Sequence, residues 1–191
     1  MSIVEISHRS AAYQEMQDDT VATLKKLLQV PEGYHVVFIQ GGGSMPFVMH
    51  AANFLKKKGG YINTGVWSDK AMKAAQFFGE TYEIASSKAD HFTYIPAKEE
   101  FVVQPDTDYV YMTSNNTIHG TEWHTFPNFY IPVICDMSSD FLSRPVDVRQ
   151  FDLIYAGAQK NVGPAGVVIA IIKDEFLKNA NDNLPLMLQY K

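Results

Sequence analysis

The chain has 191 residues, a length that suits one domain, or slightly more than one, with a core of ordinary size. Its formal net charge of −5 is spread without a basic stripe, so nucleic acid and anionic membranes are not favoured as partners. No apolar run approaches the roughly 20 residues of a membrane helix, and the single cysteine, Cys135, excludes an intrachain disulfide, so we expect a soluble protein of the cytoplasm.

Helical and extended patterns alternate along the chain. Helices are predicted over residues 15–28, 47–55, 68–78 and 174–179, with Ser68 and Asp69 capping the third and a short helix near 96–100. Strands are predicted over residues 34–39, 60–64, 81–85, 108–113, 131–135, 153–156 and 167–172. This order predicts an α/β fold with an open, mostly parallel sheet and helices on both faces.

Polar and small residues follow five of the predicted strands. They are Gly41 to Ser44, Trp67, Thr113 to Thr117, Asp136 and Lys160. In open α/β sheets the ligand binds beyond the carboxyl ends of the strands. We therefore interpret these loops as one candidate site.

Lys160 is the most informative of these residues. It lies in a loop of small residues between two apolar stretches, 153–156 and 167–172, where we expect it to be half-buried. A partly desolvated amine favours its neutral, nucleophilic form, so Lys160 is a candidate to hold a carbonyl cofactor as a Schiff base. The alternative is a solvated turn lysine.

The sequence Gly41-Gly42-Gly43-Ser44 precedes a predicted helix and is a candidate anion site. Glycines allow close approach, and a helix N-terminus offers free N–H groups. The sequence is neither a P-loop nor a dinucleotide-binding pattern, and a plain tight turn is the alternative.

Three further side chains have a functional and a structural interpretation. Asp136 could pair with a buried cation or cap a turn. Trp67 could stack on a ring from a loop or pack in the core. Thr117 offers a hydroxyl, or is an ordinary turn residue.

Other chemistries find little support. His119 and His124 do not have the spacing of a metal site. No Gly-x-Ser-x-Gly elbow is present, which argues against an α/β-hydrolase. An anion-binding turn, an aromatic face, a strand-end carboxylate and a strand-end lysine together match the requirements of pyridoxal 5′-phosphate.

The chain resembles the phosphoserine aminotransferase family of fold-type I pyridoxal-phosphate enzymes over essentially its whole length. The matching segments are residues 6–10, 40–44, 65–71, 115–120, 135–139, 143–145 and, most specifically, 155–166, Tyr-Ala-Gly-Ala-Gln-Lys-Asn-Val-Gly-Pro-Ala-Gly. The resemblance implies a three-layer αβα fold with a mostly parallel mixed sheet. It also implies a homodimer.

The resemblance also implies a role for each site residue. Lys160 would form the Schiff base and move the substrate proton, and Asp136 would pair with the pyridine N–H. The remaining roles are ring stacking by Trp67, a ring hydrogen bond from Thr117, phosphate binding by Gly43, Ser44 and Gln159, and substrate carboxylate binding by Arg9 with His8 beside it.

The implied reaction is reversible amino transfer between glutamate and 3-phosphooxypyruvate, which gives 2-oxoglutarate and phosphoserine, for serine and pyridoxine biosynthesis. Members of the family are roughly twice as long. Residues 1–191 would thus be the cofactor-binding large domain, shortened at both ends and without the C-terminal small domain. Two alternatives remain: a fragment that binds the cofactor without turnover, and another enzyme of the same class, such as a cysteine desulfurase-like lyase, although Gln159 stands where that family usually has histidine.

Overall fold

The computed structural model describes residues 5–191, and a central sheet organises them. The helices are α1 (Ala11–Leu27), α2 (Met45–Phe54), α3 (Val66–Ala75) and α4 (Asp174–Leu177). The strands are β1 (Tyr34–Gln40), β2 (Lys58–Asn63), β3 (Glu80–Ser86), β4 (Thr107–Thr113), β5 (Asn115–Asn116), β6 (Thr121–Glu122), β7 (Val133–Asp136), β8 (Leu153–Gly157) and β9 (Val167–Lys173). None of the helices within residues 5–191 is long and apolar enough to cross a membrane.

Seven strands form the sheet in the order β1-β9-β8-β7-β4-β2-β3. Strand β9 runs antiparallel to both of its neighbours, β1 and β8. The pairs between β8 and β3 are all parallel. Strands β1, β2, β4, β7 and β8 therefore point the same way, and their carboxyl ends share one edge of the sheet.

Two apolar cores cover the two faces of the sheet. One includes Leu24 and Leu28 from the α1 region, and the other includes Phe47 of α2 and Ala71 of α3. The central strands are buried on both faces, which explains their continuous apolar runs. The predicted three-layer αβα fold with a mostly parallel mixed sheet is confirmed.

The predicted elements are all present, with shifted ends. Helix α1 begins at Ala11 rather than at residue 15, because the Ser10 hydroxyl accepts the Tyr13 N–H at 3.2 Å and caps the helix. The short helix expected near 96–100 is a single turn over Lys98–Glu100.

Ser68 helps to cap α3 as predicted, but the predicted start of the helix at this residue is wrong. The helix begins at Val66, so Ser68 lies inside its first turn. The Ser68 hydroxyl accepts the N–H groups of Thr64 and Gly65, at 3.0 and 3.1 Å, and thereby holds the chain that leads into the helix.

Gly60 in β2 allows a test of how closely the core packs against the sheet. A Cβ at this position would lie 2.6 Å from Ile84 Cδ1, a side chain that is itself buried. We expect Gly60→Ala to lower the free energy of unfolding by about 1–3 kcal/mol because the core is already filled. Urea unfolding measures this, with Gly163→Ala, whose added methyl meets Ala158 Cβ at an ordinary 3.8 Å, as the control. Equal stability of the two variants would contradict the packing.

Candidate active site

The loops at the carboxyl edge of the sheet enclose one pocket. It lies where five parallel strands deliver their following residues to the same place. The pocket is lined by Gly43, Ser44, Phe47, Trp67, Asn115, Asp136, Ser138, Ser139, Gln159 and Lys160. The predicted grouping of the strand-end loops is therefore observed.

The glycine turn after β1 forms one wall of the pocket. Gly41 has a φ of +111°, a conformation that glycine adopts without strain, and its N–H donates to the Gly166 carbonyl at 2.9 Å. The N–H groups of Gly43 and Ser44 donate no hydrogen bond among residues 5–191. They precede the N-terminus of α2, so this wall has the free donors and the positive dipole end that an anion requires.

Asp136 ends β7 inside the pocket and is only 5% exposed. Its Oδ1 accepts the Ser138 N–H at 2.9 Å. Burial raises the pKa of the Asp136 carboxyl, while Ser138, Lys160 and the Tyr155 hydroxyl act in the opposite direction. A carboxylate in this position is stabilised by a cationic partner.

Ser138 ties three parts of the pocket together. Its hydroxyl oxygen accepts the N–H of Gly157, the last residue of β8, at 3.0 Å. The same oxygen would lie 3.2 Å from a Cβ at position 43, so the glycine turn approaches it closely. Ser138 thus fixes the end of β7 against the end of β8 and beside the wall formed by the glycine turn.

Lys160 lies at the rim of the pocket. Its Nζ donates to Thr117 Oγ1 at 3.4 Å and lies 5.4 Å from the centroid of the Trp67 ring. The expectation that Lys160 is half-buried is wrong, because the apolar residues of β8 end before it and its side chain is exposed. No carboxylate lies within ion-pair distance of Nζ among the described residues.

Trp67 presents its ring to the pocket from the first turn of α3, not from a loop as its glycine and serine neighbours suggest. The Nζ of Lys70 lies 4.8 Å from the ring centroid. The indole Nε1 is buried and has no hydrogen-bond partner within residues 5–191. The ring is therefore a flat apolar wall with a free polar edge.

The other predicted site residues differ in position. Gln159 lines the pocket beside Gly157. Thr117 is not part of the lining, but its hydroxyl accepts a hydrogen bond from Lys160, which is. His8 and Arg9 are exposed in the turn before α1 and do not belong to the pocket lining. Their role in substrate binding stays a prediction.

Asn115 belongs to the predicted segment Thr113 to Thr117, whereas three other pocket residues were not predicted from the sequence. They are Phe47, Ser138 and Ser139. Ser139 donates to the Asn115 carbonyl at 3.0 Å, which joins the loops after β7 and β4. The Asp-x-Ser-Ser spacing from Asp136 was the signal available, because a serine two residues after a strand-end carboxylate returns its N–H to it.

The family model for aminotransferase class-V matches residues 2–186. Phosphoserine aminotransferases from Shouchella clausii and Lysinibacillus sphaericus are both 49% identical over the whole chain, which covers 52% and 53% of those enzymes. The chain thus spans about half the length of the curated relatives it matches.

Solved structures give the same result. A phosphoserine aminotransferase structure that describes radiation damage of its Schiff base is 47% identical, with a TM-score of 0.96 over all of this chain and 54% of that one. The enzyme from Trichomonas vaginalis, solved with pyridoxal phosphate, is 35% identical, with a TM-score of 0.92 over all of this chain and 58% of that one. The chain belongs to the aminotransferase class-V family.

Proposed function

We propose that residues 1–191 form the pyridoxal-phosphate-binding large domain of a phosphoserine aminotransferase. The reaction is reversible amino transfer between glutamate and 3-phosphooxypyruvate, giving 2-oxoglutarate and phosphoserine in serine and pyridoxine biosynthesis. One observation carries the proposal: a lysine with no ion-pair partner and backbone donors with no acceptor within residues 5–191 meet a buried carboxylate and an aromatic wall in one pocket. The relatives at 49% identity support the choice of substrates.

The donor set fits pyridoxal phosphate. When bound, the cofactor supplies an aldehyde that reacts with amines and a ring that accepts the electrons of the substrate α-carbon. The free N–H groups of Gly43 and Ser44, with Gln159, would hold the phosphate. Trp67 would cover the ring face, and Thr117 would donate a hydrogen bond at the ring.

Asp136 supplies the charge that this chemistry needs. Its carboxylate is buried and held by Ser138, so it is oriented before any ligand arrives. A cationic ring N–H is the partner that compensates such a charge. We assign to Asp136 the task of keeping the ring nitrogen protonated.

Lys160 supplies the amine and the base. Its Nζ contacts a hydroxyl and an aromatic ring, and no residue in the described range 5–191 forms an ion pair with it that would have to break before it reacts. We assign to Lys160 the reaction of its amine with the cofactor aldehyde. After substrate binds, Lys160 would transfer the proton of the α-carbon. Arg9 would bind a substrate carboxylate as a planar fork, with His8 beside it.

Cofactor binding without turnover is the second candidate function of this chain. The observation that supports this second candidate is that the chain spans about half the length of its relatives. A substrate assay separates the two: turnover of glutamate and 3-phosphooxypyruvate by these 191 residues supports catalysis, and binding alone supports the second candidate. Cysteine in the same assay tests the lyase alternative.

Lys160 is expected to be the residue that carries the cofactor. Incubation with pyridoxal phosphate and reduction with borohydride should label one peptide, and mass spectrometry should map the label to Lys160. Lys160→Ala should lose the label, whereas Lys70→Ala, which removes the other amine near the Trp67 ring, should keep it. Labelling of Lys70, or none in folded protein, would refute the assignment.

Asp136→Asn keeps the shape of the side chain and removes its charge. In the complete enzyme we expect kcat to fall roughly 100- to 1,000-fold, because the ring nitrogen loses its electrostatic partner. Steady-state kinetics measure this, with Asp147→Asn, an exposed carboxylate paired with Arg149, as the control. An unchanged kcat would rule out this role for Asp136.

We propose that the complete protein is a cytoplasmic homodimer. Exposed apolar side chains support a partner surface, including Phe77, which is 90% exposed, and Ile118, which is 60% exposed and follows Thr117. Light scattering should give twice the mass of one chain at micromolar concentration. A monomer mass that does not change with concentration would contradict the proposal.

A further inference from the structure

Tyr155 is buried beside Asp136 on the neighbouring strand. The two residues are register partners in the parallel pair of β7 and β8, and the Met137 N–H donates to the Tyr155 carbonyl at 2.9 Å. Side chains of register partners project from the same face of a sheet. Tyr155 is fully buried, so its hydroxyl has to find its partners inside the protein.

Tyr111 of β4 supplies one of these partners. The hydroxyl oxygens of Tyr111 and Tyr155 are 2.7 Å apart, and Tyr111 is also fully buried. Each hydroxyl has one proton, while a carboxylate can only accept. Because Tyr155 is the register partner of Asp136, a hydrogen-bond chain in which Tyr111 donates to Tyr155 and Tyr155 donates toward Asp136 would satisfy both hydroxyls and end on the anion.

We propose that Tyr155, held by Tyr111, is a positioning residue that orients the Asp136 carboxyl and keeps it ionised for a cationic ring nitrogen. The inference rests on the proposed function and deepens it. It assigns to β4 and β8 a direct part in preparing the charge at the end of β7.

A second tyrosine pair shows what is specific about the first. Tyr61 and Tyr109 pack in the same core, are also fully buried, and their hydroxyl oxygens are also 2.7 Å apart. Their hydrogen-bond chain ends on His50 Nε2, which lies 3.1 Å from the Tyr61 hydroxyl. His50 Nδ1 lies 2.6 Å from the Pro46 carbonyl and must donate to it, so Nε2 of the neutral ring is the acceptor. This pair ends on a ring nitrogen, whereas the first pair lies beside the carboxylate of Asp136, the register partner of Tyr155.

The polar groups that face Asp136 all lower the pKa of its carboxyl, against the effect of burial. Burial raises its pKa, and Ser138, Lys160 and Tyr155 lower it. Asp136 in turn raises the pKa of Tyr111, of Tyr155 and of Cys135 on its own strand, and Asp140 acts on Cys135 in the same way. From α2 the pocket receives the apolar Phe47, while His50 stacks on Tyr111 and has a pKa lowered to about 4 by burial.

Titration of the Asp136 carboxyl tests the inference in the protein without added cofactor. The carboxyl carbon is followed by NMR after ¹³C labelling of aspartate, with Asp136→Asn to assign the signal. Tyr155→Phe should move the midpoint to higher pH, because a donor to the charged form is lost. Tyr111→Phe, which keeps the Tyr155 hydroxyl, should give a smaller shift in the same direction.

Tyr109→Phe is the matched control and should leave the Asp136 midpoint unchanged. Affinity for pyridoxal phosphate should fall about tenfold or more in Tyr155→Phe, the range of one lost hydrogen bond to a charged group. A wild-type midpoint in both Tyr155→Phe and Tyr111→Phe, or an equal shift in Tyr109→Phe, would overturn the inference. Failure of the proposed function would be recognised separately, as the absence of cofactor labelling at Lys160 in a protein whose Asp136 titration still depends on Tyr155.

Discussion

The burial of one carboxylate, that of Asp136, is the constraint on which the site depends. A charge this far from water is costly unless groups around it compensate, and here a backbone N–H, two hydroxyls and a lysine do so. The compensation comes from the turn after β7, from β8 and from the loop after β8, so the packing of the sheet and the electrostatics of the pocket depend on the same residues. The Asp136 carboxylate also lines the pocket, where a cationic ligand would complete the compensation of its charge.

The sheet topology explains why these groups meet. Parallel strands bring their carboxyl ends to one edge, so the glycine turn, Trp67, Asp136 and Lys160 converge although more than a hundred residues separate the first from the last. The antiparallel β9 closes the arrangement, since the Gly166 carbonyl just before it accepts the Gly41 N–H. This backbone hydrogen bond joins the glycine turn to the end of the loop that carries Lys160.

The strand-end residues and the α/β class could be predicted because both follow from short patterns: apolar runs, glycines and the polar residues after them. The spacing after Asp136 could have indicated the contact of Ser138 with that carboxylate, but not its contacts with Gly157 and Gly43, which are distant in sequence. The exposure of Lys160 was misjudged for a similar reason, since flanking apolar strands say little about a loop beyond the sheet edge. The two-residue strands β5 and β6 were too short for a periodic signal.

We propose above all that the pocket binds pyridoxal phosphate with its phosphate on the glycine turn and its ring nitrogen on Asp136. A crystal structure of the protein grown with the cofactor tests this most directly. We expect continuous density between Lys160 and the cofactor, phosphate oxygens at the N–H groups of Gly43 and Ser44, and the ring nitrogen within hydrogen-bond distance of Asp136. Cofactor bound in the opposite orientation, or outside this pocket, would contradict it.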